Sequence, residues 1–369
     1  MYANIYRTMI TIVSAILLAG CTAAPEPVYT PPVPEEPVTV STGFALGADI
    51  SWITEFESRG ETFYNAAGSS RECTALMKEI GMNSIRLRVW VSPEQGWCNK
   101  SDVLAKAIRA KKLGMRIMID FHYSDTWADP GRQLIPAAWL EYDTEALAEA
   151  VSEHTVEVLS LLKENDIDVE WVQVGNEVTT GMLYHTAVND SNYGSSKSGY
   201  GGDIADHPEN FAKFIDAGYK AVKSVYPDAL AVVHVDRGNL AYVAQNVFNI
   251  LEEYGAGYDI IGLSLYPYDP DDPDWMSSVE SCVDNITAHY NRYGKEVMIV
   301  ETGMPYDMAD DAYNMLSTLI SGARDSGHCL GVFYWEPEAP ASSGYSLGAF
   351  ENGAPTHALD AFTEAASEL

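Results

Sequence analysis

The sequence predicts an α/β fold, a single (β/α)8 barrel spanning residues 43–369. Three observations predict it. Short, nearly continuous apolar segments alternate with helical stretches, the pattern of a parallel sheet whose strands are buried on both faces. The segments number eight, which is the count that closes a barrel, and a stretch of this length suits one such domain. The first strand is not followed by a glycine-rich phosphate loop, so the doubly wound open sheet, which is the alternative, lacks its characteristic site.

The elements follow in order. Ala45 to Ile50 is an apolar strand ending near Asp49. Ser69 to Gly81 reads as a helix closed by glycine, the residue that most easily takes a left-handed C-cap. Asn83 to Trp90 is the next strand, with Arg86, Arg88 and Trp90 on one face and Ile85, Leu87 and Val89 on the other. Ser101 and Asp102 start a helix that stops at Gly114. A strand over Arg116 to His122 leads into an aromatic and polar loop that reaches Trp139. Thr144 to Asn165 is a long helix, and Val169 to Glu177 the fourth strand. Pro208 opens a helix to Tyr226, as proline does at a first helical turn. Strands over Leu230 to Asp236, Asp259 to Tyr266, Val297 to Glu301 and Leu330 to Trp335 complete the eight. Helices over Leu240 to Tyr254, Ser278 to Tyr293 and Ala309 to Ser326 separate them. The connections Thr179 to His207 and Glu336 to Thr356 are long, and loops of that length in a compact domain are commonly functional.

The chain before the barrel has a different character. Residues 1–20 read as an export signal, with Arg7 ahead of an apolar run from Met9 to Ala19 that is short for a membrane span. The run ends Leu18-Ala19-Gly20-Cys21, which resembles a bacterial lipobox, with Cys21 as the lipidated residue. Residues 21–42 carry Pro25, Pro27, Pro31, Pro32, Pro34 and Pro37, the composition of an extended, semi-rigid tether. The expected location is therefore that of a bacterial lipoprotein, periplasmic or on the outer cell surface, touching the membrane only through its lipid. The formal net charge of −31 argues against nucleic acid and anionic surfaces as partners. A neutral polymer is indifferent to it, and a monomer is expected. Cys73, Cys98, Cys282 and Cys329 match no zinc pattern. Cys73–Cys98 and Cys282–Cys329 would close the shortest loops, while four free buried thiols fit the sequence almost as well.

Polar chemistry gathers at the carboxyl ends of the predicted strands: Asp49, Trp90, His122, Asn176, Glu177, Asp236, Tyr266, Glu301 and Trp335. In a (β/α)8 barrel that end is the active face. Val174-Gly175-Asn176-Glu177 and Ile299-Val300-Glu301-Thr302-Gly303 each end an apolar run on a carboxylate. Two such glutamates are what glycosidic bond hydrolysis needs, one to protonate the leaving oxygen and one to attack or to activate water.

Several phrases resemble the arabinogalactan endo-β-1,4-galactanases of glycoside hydrolase family 53. They are Arg86-Leu87-Arg88-Val89-Trp90, the stretch Asp120 to Gly131 (DFHYSDTWADPG), Gln173 to Glu177, Leu265-Tyr266-Pro267-Tyr268, Glu301-Thr302-Gly303 and Gly331 to Pro337. The resemblance runs from about Gly43 to Phe362, and the Asp120 to Gly131 stretch is its most distinctive part. It implies a retaining, endo-acting glycosidase that cleaves β-1,4-galactosidic bonds in galactan, such as pectic side chains, by double displacement. Glu177 would be the acid/base and Glu301 the nucleophile. Asn176 would bond the sugar 2-hydroxyl, and Tyr266 and Arg86 would hold Glu301 ionised. His122 would complete the polar floor, and Trp335 would stack under the reacting sugar, with Trp90 and Asp49 as further substrate-side residues. No organic cofactor and no metal are implied in the chemistry.

Other readings stay open on the sequence. Arg88 offers the same chemistry as Arg86, His122 fits a structural imidazole, and Trp90, Trp127 and Trp139 fit packing as well as sugar platforms. Asp125 and Asp129 are read as braces of the third loop. The residues after Glu301 are short and lack the ligand spacing with which bacterial relatives bind calcium, so no calcium site of that kind is expected. A mannanase or xylanase of the same clan is the enzyme alternative, and a non-catalytic glycan-binding surface lipoprotein the other.

Overall fold

The computed structural model describes residues 42–188, 194–272 and 274–369. The expected export signal, Cys21 and the proline-rich stretch lie outside the described residues. Eight strands, β1 (Ala45–Asp49), β2 (Ser84–Val89), β3 (Arg116–Phe121), β4 (Trp171–Val174), β5 (Leu230–Val235), β6 (Ile260–Leu265), β7 (Glu296–Thr302) and β8 (Cys329–Trp335), pair in chain order into a closed barrel. Every pairing is parallel, and β8 returns to β1 with Ala45 opposite Gly331 and Asp49 opposite Trp335. Eight helices cover it: α1 (Cys73–Glu79), α2 (Lys100–Lys112), α3 (Thr144–Glu164), α4 (Pro208–Val225), α5 (Ala241–Tyr254), α6 (Met276–Tyr293), α7 (Ala309–Asp325) and α8 (Asp360–Ser367). Among the described residues no helix is long and apolar enough to cross a membrane.

The alternation of side chains along each strand sorts the core into two parts. Leu46, Ala48, Ile85, Leu87, Ile117, Ile119, Val233 and Ile299 face outward and pack with the helices. Ala45, Met118, Trp171, Val232, Ile260, Met298, Val300 and Phe333 form a separate apolar plug inside the barrel. Phe333 fits there because Gly47 faces it without a side chain; a Cβ on Gly47 would lie 2.4 Å from the ring. Below the plug the Arg116 guanidinium stacks on Trp171, 4.3 Å from its ring centre, and pairs with Glu170. The ring of helices is completed by α8, where Thr363 donates to the Ile80 carbonyl at 2.6 Å beside the last turn of α1.

Several elements differ from the sequence expectation, each for a local reason. The first helix starts at Cys73, because Glu72 takes the N-cap position and accepts from the Thr74 and Ala75 amides. Ser70–Arg71 instead pairs with Phe63–Tyr64. A short helix, Ile53–Ser58, precedes them. The fourth strand stops at Val174 rather than Glu177: Gly175 has φ 87°, and Glu177 itself is left-handed at φ 43°. Within the connection after Glu177, among the described residues, Gly181–Met182 pairs with Gly202–Asp203 and His185–Val188 with Gly194–Lys197. The four cysteines of the barrel are free buried thiols, so neither disulfide pairing is made.

Candidate active site at the carboxyl end of the barrel

Above the apolar plug the inward positions of the same strands turn polar, and Arg86 is at their centre. It is wholly buried on β2 and pairs with Asp49 of β1 at 2.8 Å, Asp120 of β3 at 2.9 Å and Glu301 of β7 at 2.8 Å. The amide oxygens of Gln173 (3.0 Å) and Asn176 (2.9 Å) complete its shell. A buried guanidinium is tolerable only with such partners, since its desolvation is otherwise very costly. Burial works against its charge, but Asp120, Glu301 and Asp49 outweigh that, and its pKa is raised.

Glu301 reaches this cluster through a bulge. Along β7, Met298 and Val300 face the barrel interior and Val297 and Ile299 the helices, so strict alternation would turn Glu301 outward. The register with β6 shifts between Leu263 and Ser264, with Ile299 opposite Leu263 and Glu301 opposite Ser264. The extra residue re-aims the side chain, a usual role of bulges beside active sites. Glu301, 5% exposed, then accepts from Arg86 and from the Tyr266 hydroxyl at 3.0 Å. Burial pushes its carboxyl up to about 7, Arg86 restrains the rise, and the neighbouring Asp120 and Asp49 add to it.

Glu177 is placed by the turn after β4. A Cβ on Gly175 would lie 2.5 Å from Val178 Cγ1, so the chain can fold back this tightly only at glycine. The left-handed conformation of Glu177 costs about 1–2 kcal/mol in a residue with a Cβ. It turns the carboxyl toward Ser264, whose hydroxyl donates to Oε1 at 2.7 Å. Burial and then Glu301 push the Glu177 carboxyl well above the usual carboxylate range. Glu301 has a guanidinium and a phenol as donors, and Glu177 one serine. A proton shared between them therefore resides on Glu177.

One carboxylate oxygen from each glutamate and one His234 ring nitrogen lie within 4.8 Å of one another. These three groups are also the candidate cation ligands. The Arg86 guanidinium already sits on Glu301, so the positive charge there comes from the protein itself.

The other expected residues divide between the cleft and its foundations. His122, Asn176, Tyr266 and Trp335 line a cleft of about 240 Å³ with both glutamates, joined by Trp127, Asp129, Arg132 and Tyr345. Both His122 nitrogens are engaged, Nε2 with Asp120 at 3.0 Å and Nδ1 accepting from the Ala128 amide at 3.0 Å. Its imidazole is thus held neutral, with burial lowering its pKa against the pull of Asp120. Asn176 donates to the Ala128 carbonyl at 2.8 Å and keeps a second amide hydrogen. Asp49 is fully buried beneath the cleft and accepts from Ser51 and Arg86. Trp90 packs on Trp127, 5.1 Å between ring centres, and lines a neighbouring cleft instead. Arg88 turns to Glu336 at 3.1 Å, and Asp125 braces the third loop by accepting from the Ser92 and Ala137 amides.

Sequence reasoning missed the roles of Asp120, Gln173, His234 and Ser264. Each is a polar residue on an inward position of an otherwise apolar strand, buried to 1% or less. Such a residue needs a partner, and that is the signal by which they were findable. Tyr345 and Arg132 come from loops and carry no comparable signal.

The chain is 32% identical over 337 residues to a probable arabinogalactan endo-β-1,4-galactanase A of Aspergillus terreus, covering 83% of this chain and 89% of that one. Among solved structures, a fungal β-1,4-galactanase superposes with a TM-score of 0.76 at 25% identity, covering 88% of this chain and all of that one. The catalytic domain of an Ignisphaera aggregans family 53 enzyme superposes with a TM-score of 0.74 at 28% identity, covering 91% and 99%. Residues 45–365 match the profile of glycosyl hydrolase family 53, and the chain belongs to that family.

Proposed function

We propose that this protein hydrolyses internal β-1,4-galactosidic bonds of galactan, with retention at the anomeric carbon. The observation that carries the reading is the pair of glutamates at the barrel mouth, with oxygens within 4.8 Å. So close an approach of single oxygens fits the narrow carboxyl spacing of retaining glycosidases, roughly 5–5.5 Å, better than the roughly 6.5–9.5 Å that leaves room for water in inverting ones. Glu177 donates its proton to the glycosidic oxygen while Glu301 attacks the anomeric carbon, the carbon–oxygen bond breaks, and a glycosyl ester forms on Glu301. Its neutralisation removes the charge that held the proton on Glu177, whose pKa falls. Glu177 then takes a proton from water, the water oxygen attacks the same carbon, and Glu301 leaves as carboxylate. Arg86 and Tyr266 aim Glu301 and hold it ionised. The spare amide hydrogen of Asn176 suits the sugar 2-hydroxyl, and Trp335 suits the apolar face of the reacting ring. Asp49 acts through Arg86.

The N-terminal features belong to the same reading. Residues 1–20 serve as a lipoprotein signal, Cys21 carries lipid, and residues 21–42 tether a monomeric barrel, residues 43–369, at the cell surface or in the periplasm, where pectic galactan is met.

The test is product analysis of protein lacking residues 1–40 on linear β-1,4-galactan, β-1,4-mannan and xylan, with Glu301→Gln as control. Galacto-oligosaccharides from galactan alone, lost in the control, are expected. Cleavage of mannan or xylan in place of galactan would overturn the substrate, and inertness of a folded sample on all three would favour a binding protein.

A further inference from the structure

A second cleft opens beside the catalytic one, between the loops that follow β1, β2 and β3. Four of the chain's eight tryptophans line it: Trp52, Trp90, Trp97 and Trp127. All four are half-buried, so each leaves part of its indole to solvent. Trp127 lines both clefts, so the two are immediate neighbours.

The floor is fixed by a buried cation. The Arg88 guanidinium, paired with Glu336, lies 4.1 Å from the Trp127 ring centre, 5.0 Å from that of Trp90 and 5.7 Å from that of Trp52. Trp97 is presented from the far side on a pinned turn. Gly96 and Cys98 flank it with φ 81° and 60°, the second a rare conformation for a residue with a Cβ. Cys98 donates its amide to Asp102 at 2.7 Å and accepts at its carbonyl from the Trp90 amide at 2.8 Å. Strain held by such bonds marks a side chain whose position matters.

The polar lining selects the occupant. Asp125 is spent on the Ser92 and Ala137 amides and Glu55 on Arg59, while the exposed Glu94 and Gln95 offer hydrogen-bond acceptors and a donor. The lining includes no cationic side chain. An anionic ligand is therefore disfavoured, whereas a neutral ring with an apolar face and hydroxyl edges is complementary. We propose that this cleft is a further sugar subsite, stacking on Trp97 a distal neutral hexose of the same polysaccharide chain that is cut between Glu177 and Glu301. The proposal rests on the reading of the protein as a polysaccharide hydrolase.

The experiment compares Trp97→Ala and Trp97→Phe with wild type on long galactan and on an aryl β-galactobioside too short to reach the second cleft. Loss of a stacking tryptophan at a binding centre commonly removes about tenfold in affinity or more. The expected result is a kcat/KM about tenfold lower on the polymer, a change below twofold on the aryl substrate, and recovery of polymer activity by phenylalanine. Equal losses on both substrates, or no loss on the polymer, would overturn the subsite. A measurement that leaves Trp97 in place stands beside it. In Glu301→Gln protein, the Trp97 indole N–H resonance should shift with longer galacto-oligosaccharides and stay still with galactobiose; an indole unmoved by either contradicts the proposal. Should wild type cleave mannan or xylan instead, the same comparison on that polymer and its aryl glycoside judges the cleft separately from the galactan assignment.

Discussion

The two halves of the barrel interior are built from the same strands and answer to different demands. In the amino-terminal half, Met118, Trp171, Val232, Met298 and Phe333 fill the space as an apolar plug. Two residues further along the strands, Asp120, Gln173, His234 and Trp335 replace apolar neighbours, and Arg86, Asp49 and Glu301 join them. The upper half also holds most of the left-handed non-glycine backbone among the described residues. Tyr123, Glu177, Arg237 and Glu336, each just past a strand's carboxyl end, have φ between 43° and 51°. One layer is stabilised by packing; the other accepts desolvated charge and local strain so that two carboxyls meet. Function is held at the expense of stability in one half of a shared scaffold.

The largest effects are expected from changes in the upper layer. Glu301→Gln should lower kcat on galactan about 10⁴-fold or more, as removal of a nucleophile does. The burial that raises the Glu301 carboxyl to about 7 means the native state holds a proton that the unfolded chain has released, between about pH 4.3 and 7. Stability from this group is thus present below that window and lost as pH rises through it. The Tm of Glu301→Gln should accordingly gain on wild type as pH is raised from 5 to 8, read by thermal unfolding; a gap that closes instead contradicts the burial account. Glu177→Gln should cost about 10²–10⁴-fold on the polymer, and much less on aryl galactosides whose leaving group needs no proton. Equal losses on both substrates would remove Glu177 from the acid role.

The lower layer should behave in the opposite way. Phe333→Ala opens a cavity between Gly47 and Trp171 and should destabilise by about 3–5 kcal/mol in denaturant unfolding. The activity of the folded fraction should stay near wild type, and a large fall in its kcat would show that the two halves are not separable.

How much of this was legible follows the same division. Nearly continuous apolar segments set between helical stretches made the strands and their helical cover visible, because burial on both faces leaves few polar positions in a strand. Glu177 and Glu301 were visible as carboxylates ending such runs. Their aim was not visible. The bulge that turns Glu301 inward depends on pairing with β6, and the turn at Gly175 depends on Val178 packing beneath it. The choice between Arg86 and Arg88, both on one face of β2, is settled only by what stands across the barrel: Asp120 and Glu301 for one, Glu336 for the other. The first helix start was misplaced because Glu72, an acidic cap, is less typical than the serines before it.

Smaller effects are expected on the pH profile. The pH profile of kcat/KM should be bell-shaped, its acid limb near 7 where Glu301 ionises and its alkaline limb set by the higher Glu177. Ser264→Ala removes the hydroxyl that stabilises ionised Glu177. It should move the alkaline limb upward by a fraction of a pH unit and leave the acid limb in place. An alkaline limb that moves downward would show that Ser264 supports the protonated form.

The division of labour between the two glutamates is tested most directly by trapping the intermediate. A 2-deoxy-2-fluoro β-galactobiosyl donor with an activated leaving group slows ester hydrolysis, and peptide mapping by mass spectrometry locates the sugar. The label belongs on Glu301, which Arg86 and Tyr266 hold as the carboxylate. A label on Glu177, or turnover that leaves the protein unlabelled and releases the inverted anomer, would contradict the assignment at its centre.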